Sequence, residues 1–386
     1  MTDLIKPYQG EDEIAFAKRK AYFIKYIKSR LDYSDKLMVA KLANTTPINS
    51  IEKQEIDDFW RQYLPPVAIE KFIDYRYYDF FKTVQSEGEK LYQYVTHSFF
   101  AFIDDYYTDP QNSAPCDDKN LYDLYFYDVK RPKTIFRKIR GMFLDENYHE
   151  ITFNEAIRLA KKCEEVVLKV GKFSFGGDGI LFWNSINSDE SQLLEFLQKR
   201  NNVICQETIR QHKELCRLNP TSVNTIRIMT LLYDGQIYAL SSVIRMGTND
   251  SRVDNGSSGG IVCGILPNGQ LKSYARDICG NTFLQHPRGT KFESVIIPNF
   301  EECIELVTTL AGRFSALSRL LSWDLAIDES GHPVLIEVSL SGGGLDVHHV
   351  CNGPAFGTLI HEVVSEVCNN SFSLKSIIRS LDNNIR

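Results

Sequence analysis

The sequence feature that most constrains the fold is a predicted β-hairpin close to the C-terminus. Two apolar-rich runs, 323–327 and 332–340, flank the turn-forming tetrad Asp-Glu-Ser-Gly. A four-residue loop would pair Ile327 with His332 and set Asp324 opposite Leu335. Because residues two apart on a strand share a face, apolar side chains would line one side of the hairpin. That predicted apolar face consists of Trp323, Leu325, Ile327, Val334, Ile336, Val338 and Leu340.

The opposite face of this hairpin predicts a cation site. It carries Asp324, Glu337 and Ser339, with the two carboxylates as diagonal neighbours. Like charges this close repel unless a cation lies between them. An ordinary solvent-facing hairpin explains the same pattern, and a register slip of one residue would move the acids to opposite faces.

Length and composition indicate a globular chain that is not built for nucleic acid or for crossing a membrane. Its 386 residues suffice for two or three domains or one large composite domain. The net charge of −6 gives no reason to expect a nucleic-acid partner. No apolar run approaches the roughly 20 residues that span a bilayer, and the first residues lack a signal-peptide core. The 9 cysteines show no CxxC pairing, so we expect free thiols and a cytoplasmic location.

The N-terminal part of the chain has a helical pattern. Apolar residues recur at helical spacing from about residue 11 to 100, with a break at Pro65-Pro66. The basic run at 18–20 is either a solvated helix face or a membrane-surface helix. A Pro/Asn/Ser-containing segment at 109–115 is the predicted domain boundary.

A lysine within a short buried strand predicts an anion site. Residues 165–170 read as a strand that contains Lys169, and a lysine is rarely buried without a partner. The glycine-rich loop that follows, 171–179, allows backbone N–H groups to approach phosphate oxygens closely. The loop matches neither GxxxxGK[ST] nor GxGxxG, and a plain hairpin turn explains it equally well.

A second hairpin turns at Asp234-Gly235, a dipeptide that favours a type I′ turn between apolar runs. With a two-residue loop, Asn224 lies opposite Arg245 on one face, and Arg227 lies opposite Ser242 on the other. Each arginine is either a surface ion-pair residue or a ligand for a carboxylate or phosphate.

Two polar loops follow this hairpin. Residues 252–260 place small and polar side chains before a buried strand, as either a long flexible turn or a loop that wraps an anion. Residues 286–291 form a polar, basic loop that contains His286, and a lone histidine more often has a structural role than a catalytic one.

In their order along the chain, these signals resemble the ATP-grasp superfamily, and most closely its sugar-transfer-associated branch. The stretches that carry the resemblance are 99–110, 117–122, 129–134, 222–228, 244–247, 253–255, 259–261, 286–287, 323–327 and 335–338. It implies an α+β fold in which two subdomains clamp ATP. The implied divisions are a mainly helical region at 1–110, a small subdomain with a lid loop at 111–205 and a large subdomain at 206–386.

Position by position, the resemblance implies an ATP site. Lys119 and Lys169 match the two lysines that hold the α- and β-phosphates. The residues that match the flexible loop over the triphosphate are Ser174, Gly176, Gly177 and Gly179. The residues that match the adenine-binding strand are Gln206, Glu207 and Ile209.

The resemblance also implies a magnesium site and an acceptor site. Asp324 and Glu337 match the metal-binding acids, but the family usually has Asn where this chain has Ser339, which favours one Mg²⁺ over two. Arg245 and Asn255 resemble residues of glutathione-synthetase-like members that handle phosphate and the tetrahedral intermediate, and Arg227 is assigned with them. The implied substrate residues are Asn224, Ser258, Gly259, Gly260, His286 and Gly343.

The implied activity is an ADP-forming, ATP-dependent carboxylate–amine ligase. A carboxylate must first take the γ-phosphoryl group of ATP, and charge on Mg²⁺, Lys169 and Arg245 would neutralise the anions that approach one another. A glycine-containing lid would keep water from the acyl phosphate. Family analogy suggests a sugar uronate or polysaccharide precursor as substrate.

Two other functions fit the same residues. A kinase of this fold would phosphorylate a hydroxyl and would need a general base, for which Asp254, His286 and His348 are candidates. A non-catalytic nucleotide- or sugar-binding module is the other alternative, and Ser339 is the residue that favours it.

Overall fold

The fold is known from a computed structural model that describes residues 45–108, 114–172, 179–254, 256, 259–341 and 343–385, together with isolated helical positions between 13 and 36. The basic run at 18–20 and most of the 109–115 segment lie outside these residues. Among the described residues, no helix combines the length and the apolar character needed to cross a bilayer.

In the described ranges, thirteen strands form two sheets that are antiparallel throughout. The strands are β1 (Thr134–Ile139), β2 (Met142–Asp145), β3 (Glu150–Ile151), β4 (Glu165–Val170), β5 (Ile180–Asn184), β6 (Val203–Glu207), β7 (Thr225–Tyr233), β8 (Gln236–Met246), β9 (Ile261–Ile265), β10 (Leu271–Arg276), β11 (Thr282–Phe283), β12 (Leu320–Ile327) and β13 (Pro333–Ser339). The small sheet has the order β3-β2-β1-β6-β4-β5, and the large sheet has the order β11-β10-β9-β8-β7-β12-β13. The α+β class predicted from the sequence is confirmed.

Helices cover both sheets. They are α1 (Ser50–Trp60), α2 (Pro66–Phe72), α3 (Tyr75–Val84), α4 (His97–Tyr107), α5 (Tyr122–Tyr125), α6 (Phe153–Ala160), α7 (Glu190–Lys199), α8 (Lys213–Cys216), α9 (Phe300–Phe314), α10 (Leu345–Asn352), α11 (Ile360–Asn370) and α12 (Phe372–Ile385). α6 begins with a capping box in which Thr152 and Glu155 satisfy each other's backbone N–H groups. The small sheet packs its core against α6 and α7.

The large sheet is covered on both faces. One face packs against the apolar side of α9, with Trp323, Leu325 and Leu335 in that core. The other face shares a core with α1–α4 and with the C-terminal helices, through Met229 and Val243 of the sheet. The polar part of this second face forms the candidate site described below.

The register of the β12–β13 hairpin differs from the prediction. Ile327 pairs with Pro333 instead of His332, and Asp324 lies directly opposite Glu337 instead of Leu335. The loop holds five residues, 328–332, instead of four, and this places Leu335 opposite Leu325, in the core position that we predicted for Val334 and Ile336. A β-bulge at Ile336 then shifts the pairing by one more residue, which brings Glu337 to the same face as Asp324.

The β7–β8 hairpin has the predicted turn but not the predicted register. Asp234 and Gly235 both have positive φ, 47° and 73°, as a type I′ turn requires. A bulge at Leu240 then shifts the pairing by one residue, so Arg227 lies opposite Val243 and Arg245 lies opposite Thr225. The prediction that the two arginines point to opposite faces is therefore wrong, because the bulge places both on the same face.

Candidate active site

A row of charged side chains crosses the polar part of one face of the large sheet. β12 pairs with β7 on one side and with β13 on the other, so Arg227, Asp324 and Glu337 are directly aligned. Arg245 lies two residues beyond Val243, the partner of Arg227, and therefore on the same face. The antiparallel register thus brings four of the predicted site residues together.

Asp324 is bound by both arginines. Arg227 donates from Nε and Nη2 to the two carboxylate oxygens, each at 2.8 Å, and Arg245 Nη2 donates to Oδ2 at 3.1 Å. Burial alone would raise the pKa of Asp324, but the charges of Arg227 and Arg245 outweigh it and hold that pKa below its usual range. Asp324 is therefore a buried anion that orients two guanidinium groups.

Arg245 also faces a second carboxylate. Its Nε lies 3.4 Å from Oδ2 of Asp254, in the segment that follows β8. Burial would lower the pKa of Arg245, but Asp254 and Asp324 raise it above the ordinary value. The sequence named Asp254 only as a possible general base, because nothing in its spacing shows contact with Arg245.

Glu337 is the accessible acid of the row. Its Oε1 pairs with Lys119 Nζ at 2.8 Å, and its side chain keeps 31% exposure against 6% for Asp324. The backbone N–H of Lys119 donates to the carbonyl of Gly171 at 2.9 Å, just beyond the end of β4. Lys119 thus links the small sheet to the acid on the large sheet.

Lys169 is a cation with no anion in direct contact among the described residues. It lies on β4, and its ammonium group makes no hydrogen bond or ion pair with those residues. Burial is the main cause that lowers its pKa to about 8, the charge of Glu337 opposes this shift, and the nearby cations Lys119 and Arg131 add to it. A partly buried lysine in this state is suited to receive an anionic ligand.

This pKa predicts how use of ATP, the substrate that the resemblance implies, should depend on pH. Lys169 is cationic below about pH 8 and loses its charge above it, so we expect kcat/KM for ATP to fall roughly tenfold per pH unit beyond that point. The Lys169→Arg variant is the control, because arginine stays charged at these pH values. A descending limb that persists unchanged in this variant would assign the titration to another group.

The predicted adenine-binding strand lies in the middle of the small sheet. β6 is flanked by β1 and β4, and buried Gln206 donates from Nε2 to the carbonyl of Pro132 at 3.3 Å. At the end of β6, Glu207 and Ile209 line a cleft of about 220 Å³. Opposite them in this cleft are Arg131 and the turn between β12 and β13.

Arg131 is a cleft residue that our sequence reasoning did not single out. Its guanidinium lies over the Tyr122 ring, 4.9 Å from the centroid, and its Nη1 donates to Asp123 at 3.0 Å. Its charge also acts on Lys169. An arginine beside a proline carries no burial signal in the sequence, so only the packing identifies it.

Two predicted substrate residues are used within the protein fold. The side-chain amide of buried Asn224 donates to the carbonyls of Leu215 and Asn219 and to Gln211 Oε1, each at 2.9 Å. His286 Nε2 donates to the carbonyl of Gly247 at 3.1 Å, and its Nδ1 accepts from the Arg288 N–H. Neither residue joins the charged row.

The glycine-rich turn before α10 packs directly on the row. Ser322 Oγ donates to the carbonyl of Gly343 at 2.9 Å, and Ser322 lies opposite Ser339. Gly344 has φ +74°, and a Cβ at this position would lie 2.9 Å from Arg227 Nη1. The turn therefore needs glycine both for its backbone conformation and for its contact with the arginine.

The Gly344→Ala variant should separate these two requirements. We expect a loss of about 1–2 kcal/mol in stability from the left-handed backbone, and at least roughly tenfold lower turnover because the methyl group displaces Arg227. Gly235→Ala is the matched control: Gly235 has φ +73° and no atom within 4 Å of an added Cβ. Equal loss of turnover in both variants would contradict the role of the Arg227 contact.

The remaining predicted residues lie elsewhere or outside the described part of the chain. Gly259 accepts a hydrogen bond from Thr248 Oγ1 at 2.8 Å, and Gly260 directly precedes β9. Gly179 directly precedes β5. The predicted residues outside the described ranges are Ser174, Gly176, Gly177, Asn255 and Ser258.

The donor set fits a magnesium ion that arrives with a nucleotide. In the described ranges, no three His, Cys, Asp or Glu side chains converge into a preformed metal cage. Mg²⁺ is commonly held by one or two carboxylates together with substrate phosphates. Glu337 is the accessible carboxylate, Asp324 lies directly opposite it, and Ser339 offers a hydroxyl on the same face.

Residues 117–365 match the family model described as sugar-transfer associated ATP-grasp. No curated protein matches the sequence. Among solved structures, D-alanyl-alanine synthetase A from Vibrio cholerae is 12% identical with a TM-score of 0.42, and the match covers 69% of this chain and 67% of that one.

Two further solved structures show the same level of similarity. D-alanine–D-alanine ligase from Bacillus anthracis is 15% identical with a TM-score of 0.34, covering 72% of this chain and 71% of that one. L-amino acid ligase from Bacillus licheniformis is 14% identical with a TM-score of 0.39, covering 67% of this chain. The match spans only 48% of the length of that ligase.

Proposed function

The chain belongs to the sugar-transfer associated ATP-grasp family, and from this premise we propose that it is an ADP-forming, ATP-dependent carboxylate–amine ligase. The observation that carries the proposal is Lys169, a cation on the small sheet that has no anionic partner in the part of the chain that the structure describes and lies near the charged row of the large sheet. A nucleoside triphosphate between the sheets would supply an anionic partner for Lys169.

The two lysines would hold the phosphates from the small-sheet side. Lys169 is available for an anion, whereas Lys119 pairs with Glu337 at 2.8 Å. A phosphate oxygen near Lys119 would compete with Glu337 for this ammonium group, and the carboxylate released in this way would become available to Mg²⁺. Nucleotide and metal binding would then support each other.

Magnesium would neutralise negative charge on the phosphates and so favour transfer of the γ-phosphoryl group. Glu337 and Asp324 would hold it, with Ser339 as a weaker oxygen ligand. The arginines supply the remaining positive charge. Arg227 and Arg245 are kept in fixed orientations by Asp324, so they need little reorganisation when a carboxylate becomes an acyl phosphate.

The acceptor amine would complete the reaction by attacking the acyl phosphate, with inorganic phosphate as the leaving group. The turn at Gly343 and Gly344 packs on Arg227 and is our candidate for the acceptor side. The family description, sugar-transfer associated, supports a sugar uronate or polysaccharide precursor as one substrate.

A kinase of the same fold is the second candidate, and Asp254 is the observation that favours it. Of the three possible general bases, His286 has both ring nitrogens engaged. Burial, reinforced by Arg227, lowers the pKa of His348 to about 3, so it is a weak base. Asp254 is the remaining carboxylate beside Arg245.

A phosphate-release assay with MgATP tests the ligase proposal. Uronic acids would be supplied singly and together with amines or amino acids, and the products would be analysed by mass spectrometry. We expect ADP, phosphate and an amide only when both substrates are present. ADP with a phosphorylated alcohol and no amide would support the kinase instead. Absence of MgATP binding in calorimetry would leave only a non-catalytic role without ATP.

A further inference from the structure

An ion pair next to Thr208, a residue that lines the cleft, joins the segment after β8 to the small sheet. Arg252, in the segment after β8, donates from Nη1 and Nη2 to the two carboxylate oxygens of Glu165 at 2.7 and 2.8 Å. Its guanidinium also lies over the Phe182 ring, 4.2 Å from the centroid. Glu165 and Phe182 belong to the small sheet, so this side chain bridges the cleft.

This bridge connects two segments that the proposed nucleotide would contact. On the large-sheet side, Arg252 lies two residues before Asp254, which faces Arg245. On the small-sheet side, Glu165 begins β4, the strand that carries Lys169. Hydrogen bonds from Arg252 lower the pKa of the Glu165 carboxyl, and a side-chain hydrogen bond from Thr208 contributes to this shift.

The geometry distinguishes this pair from ordinary surface ion pairs. Exposed pairs usually contribute little, but fork-to-fork arginine–carboxylate contacts that also stack on an aromatic ring are pre-organised. More importantly, the pair connects two parts of the chain that would enclose a ligand, so it controls the distance between them. Its effect should therefore appear in ligand affinity more than in global stability.

We propose that Arg252 is a positioning residue, which with Glu165 and Phe182 forms a cross-cleft latch that holds segment 248–254 against the small sheet around the bound nucleotide. The proposal rests on the proposed ATP site. The latch encloses the nucleotide between the Asp254 side and the Thr208 side, so it determines nucleotide affinity and not the identity of the acceptor.

Charge reversal tests the latch in the full-length protein. MgATP affinity would be measured by calorimetry for Arg252→Glu, Glu165→Arg and the double variant in which the charges are exchanged. We expect each single reversal to weaken MgATP binding roughly fivefold to tenfold, because attraction becomes repulsion across the cleft. The exchanged pair should restore affinity to within about twofold.

A second ion pair provides a matched control. Arg313 and Asp128 form an exposed fork-to-fork contact with distances of 2.8 and 2.7 Å, but Arg313 lies on α9, away from the cleft. Reversing Arg313 or Asp128 should change thermal stability to a similar extent and leave MgATP affinity within about twofold.

The outcomes separate this inference from the proposed function. Wild-type affinity in Arg252→Glu and Glu165→Arg, or equal losses in the Arg313 control, would overturn the latch while leaving the ATP site intact. A single-variant loss that the exchanged pair does not restore would also overturn it. Wild-type protein that fails to bind MgATP would overturn the latch together with the proposed function.

Discussion

The Glu337→Gln variant should lose at least about a thousandfold in ATP turnover while the protein stays folded. Glutamine keeps the shape of the side chain but removes the negative charge that would hold Mg²⁺. Glu337 is 31% exposed and lies at the edge of the row, and the glutamine oxygen can still accept a hydrogen bond from its partner Lys119, so we expect the fold to be kept. Phosphate release and thermal unfolding, measured on the same preparation, would show the two effects separately.

Ser339→Ala is the appropriate control for this result. Ser339 lies two residues from Glu337 on the same face, and a lost hydroxyl should reduce turnover by less than about tenfold. If Glu337→Gln kept turnover within tenfold of wild type, the metal role of Glu337 would be wrong. If the variant unfolded, Glu337 would have to be regarded as a structural residue.

The Asp324→Asn variant should instead destabilise the protein by about 3–5 kcal/mol, in addition to impairing catalysis. Asp324 accepts three hydrogen bonds from two arginines and is only 6% exposed, so the substitution leaves buried positive charge without its partner. Urea denaturation of the two acid variants, measured side by side, would test this contrast.

The double variant Arg227→Met, Asp324→Leu provides the control for this second prediction. It removes a buried ion pair as a unit, and Arg245 keeps Asp254 as a counter-charge. We expect it to recover more than half of the stability lost in Asp324→Asn. A loss below about 1 kcal/mol in Asp324→Asn would show that water or another anion already compensates the arginines.

These two predictions assign different physical roles to acids that the sequence treats alike. Both were predicted as metal ligands on one polar face, and the sequence contains nothing to rank them. Their difference arises from strand order, because β12 is an interior strand flanked by β7 while β13 is at the edge of the sheet. Strand order depends on pairing over long sequence separations, which periodicity does not reveal.

The parts of the fold that the sequence predicted correctly rest on local chemistry. The Asp234-Gly235 turn follows from the tolerance of these residues for positive φ. The core positions of Trp323, Leu325 and Ile327 follow from their alternation with Asp324 and Ala326. The family resemblance, which depended on the order of several short motifs, is confirmed by the match over residues 117–365.

Two features explain the errors in strand register. Each hairpin contains one bulged apolar residue, Leu240 in β8 and Ile336 in β13, and the loop between β12 and β13 holds five residues instead of the predicted four. A hydrophobic pattern does not locate a bulge made of apolar residues, because both registers bury comparable surface. The bulge in β8 is nevertheless what brings Arg227 and Arg245 to the same side.

The substrate roles of Asn224 and His286 were implied by the family resemblance, and they stay predictions. Both residues have the donors and acceptors that a substrate would need, and both are buried. The structure uses these groups to fix neighbouring loops through backbone carbonyls and N–H groups. A single sequence does not distinguish a polar side chain that binds a ligand from one that satisfies the backbone around it.

The shared core beneath the charged row limits the modularity of this protein. Helices α1–α4 and the large sheet enclose the same apolar side chains, among them Phe99, Phe102 and Met229. The chain from residue 111 onward, cut free of these helices, would expose that apolar sheet face to water and would be expected to aggregate. The helical layer and the sheet face that carries the charged row therefore share one core, so neither can be replaced without repacking the other.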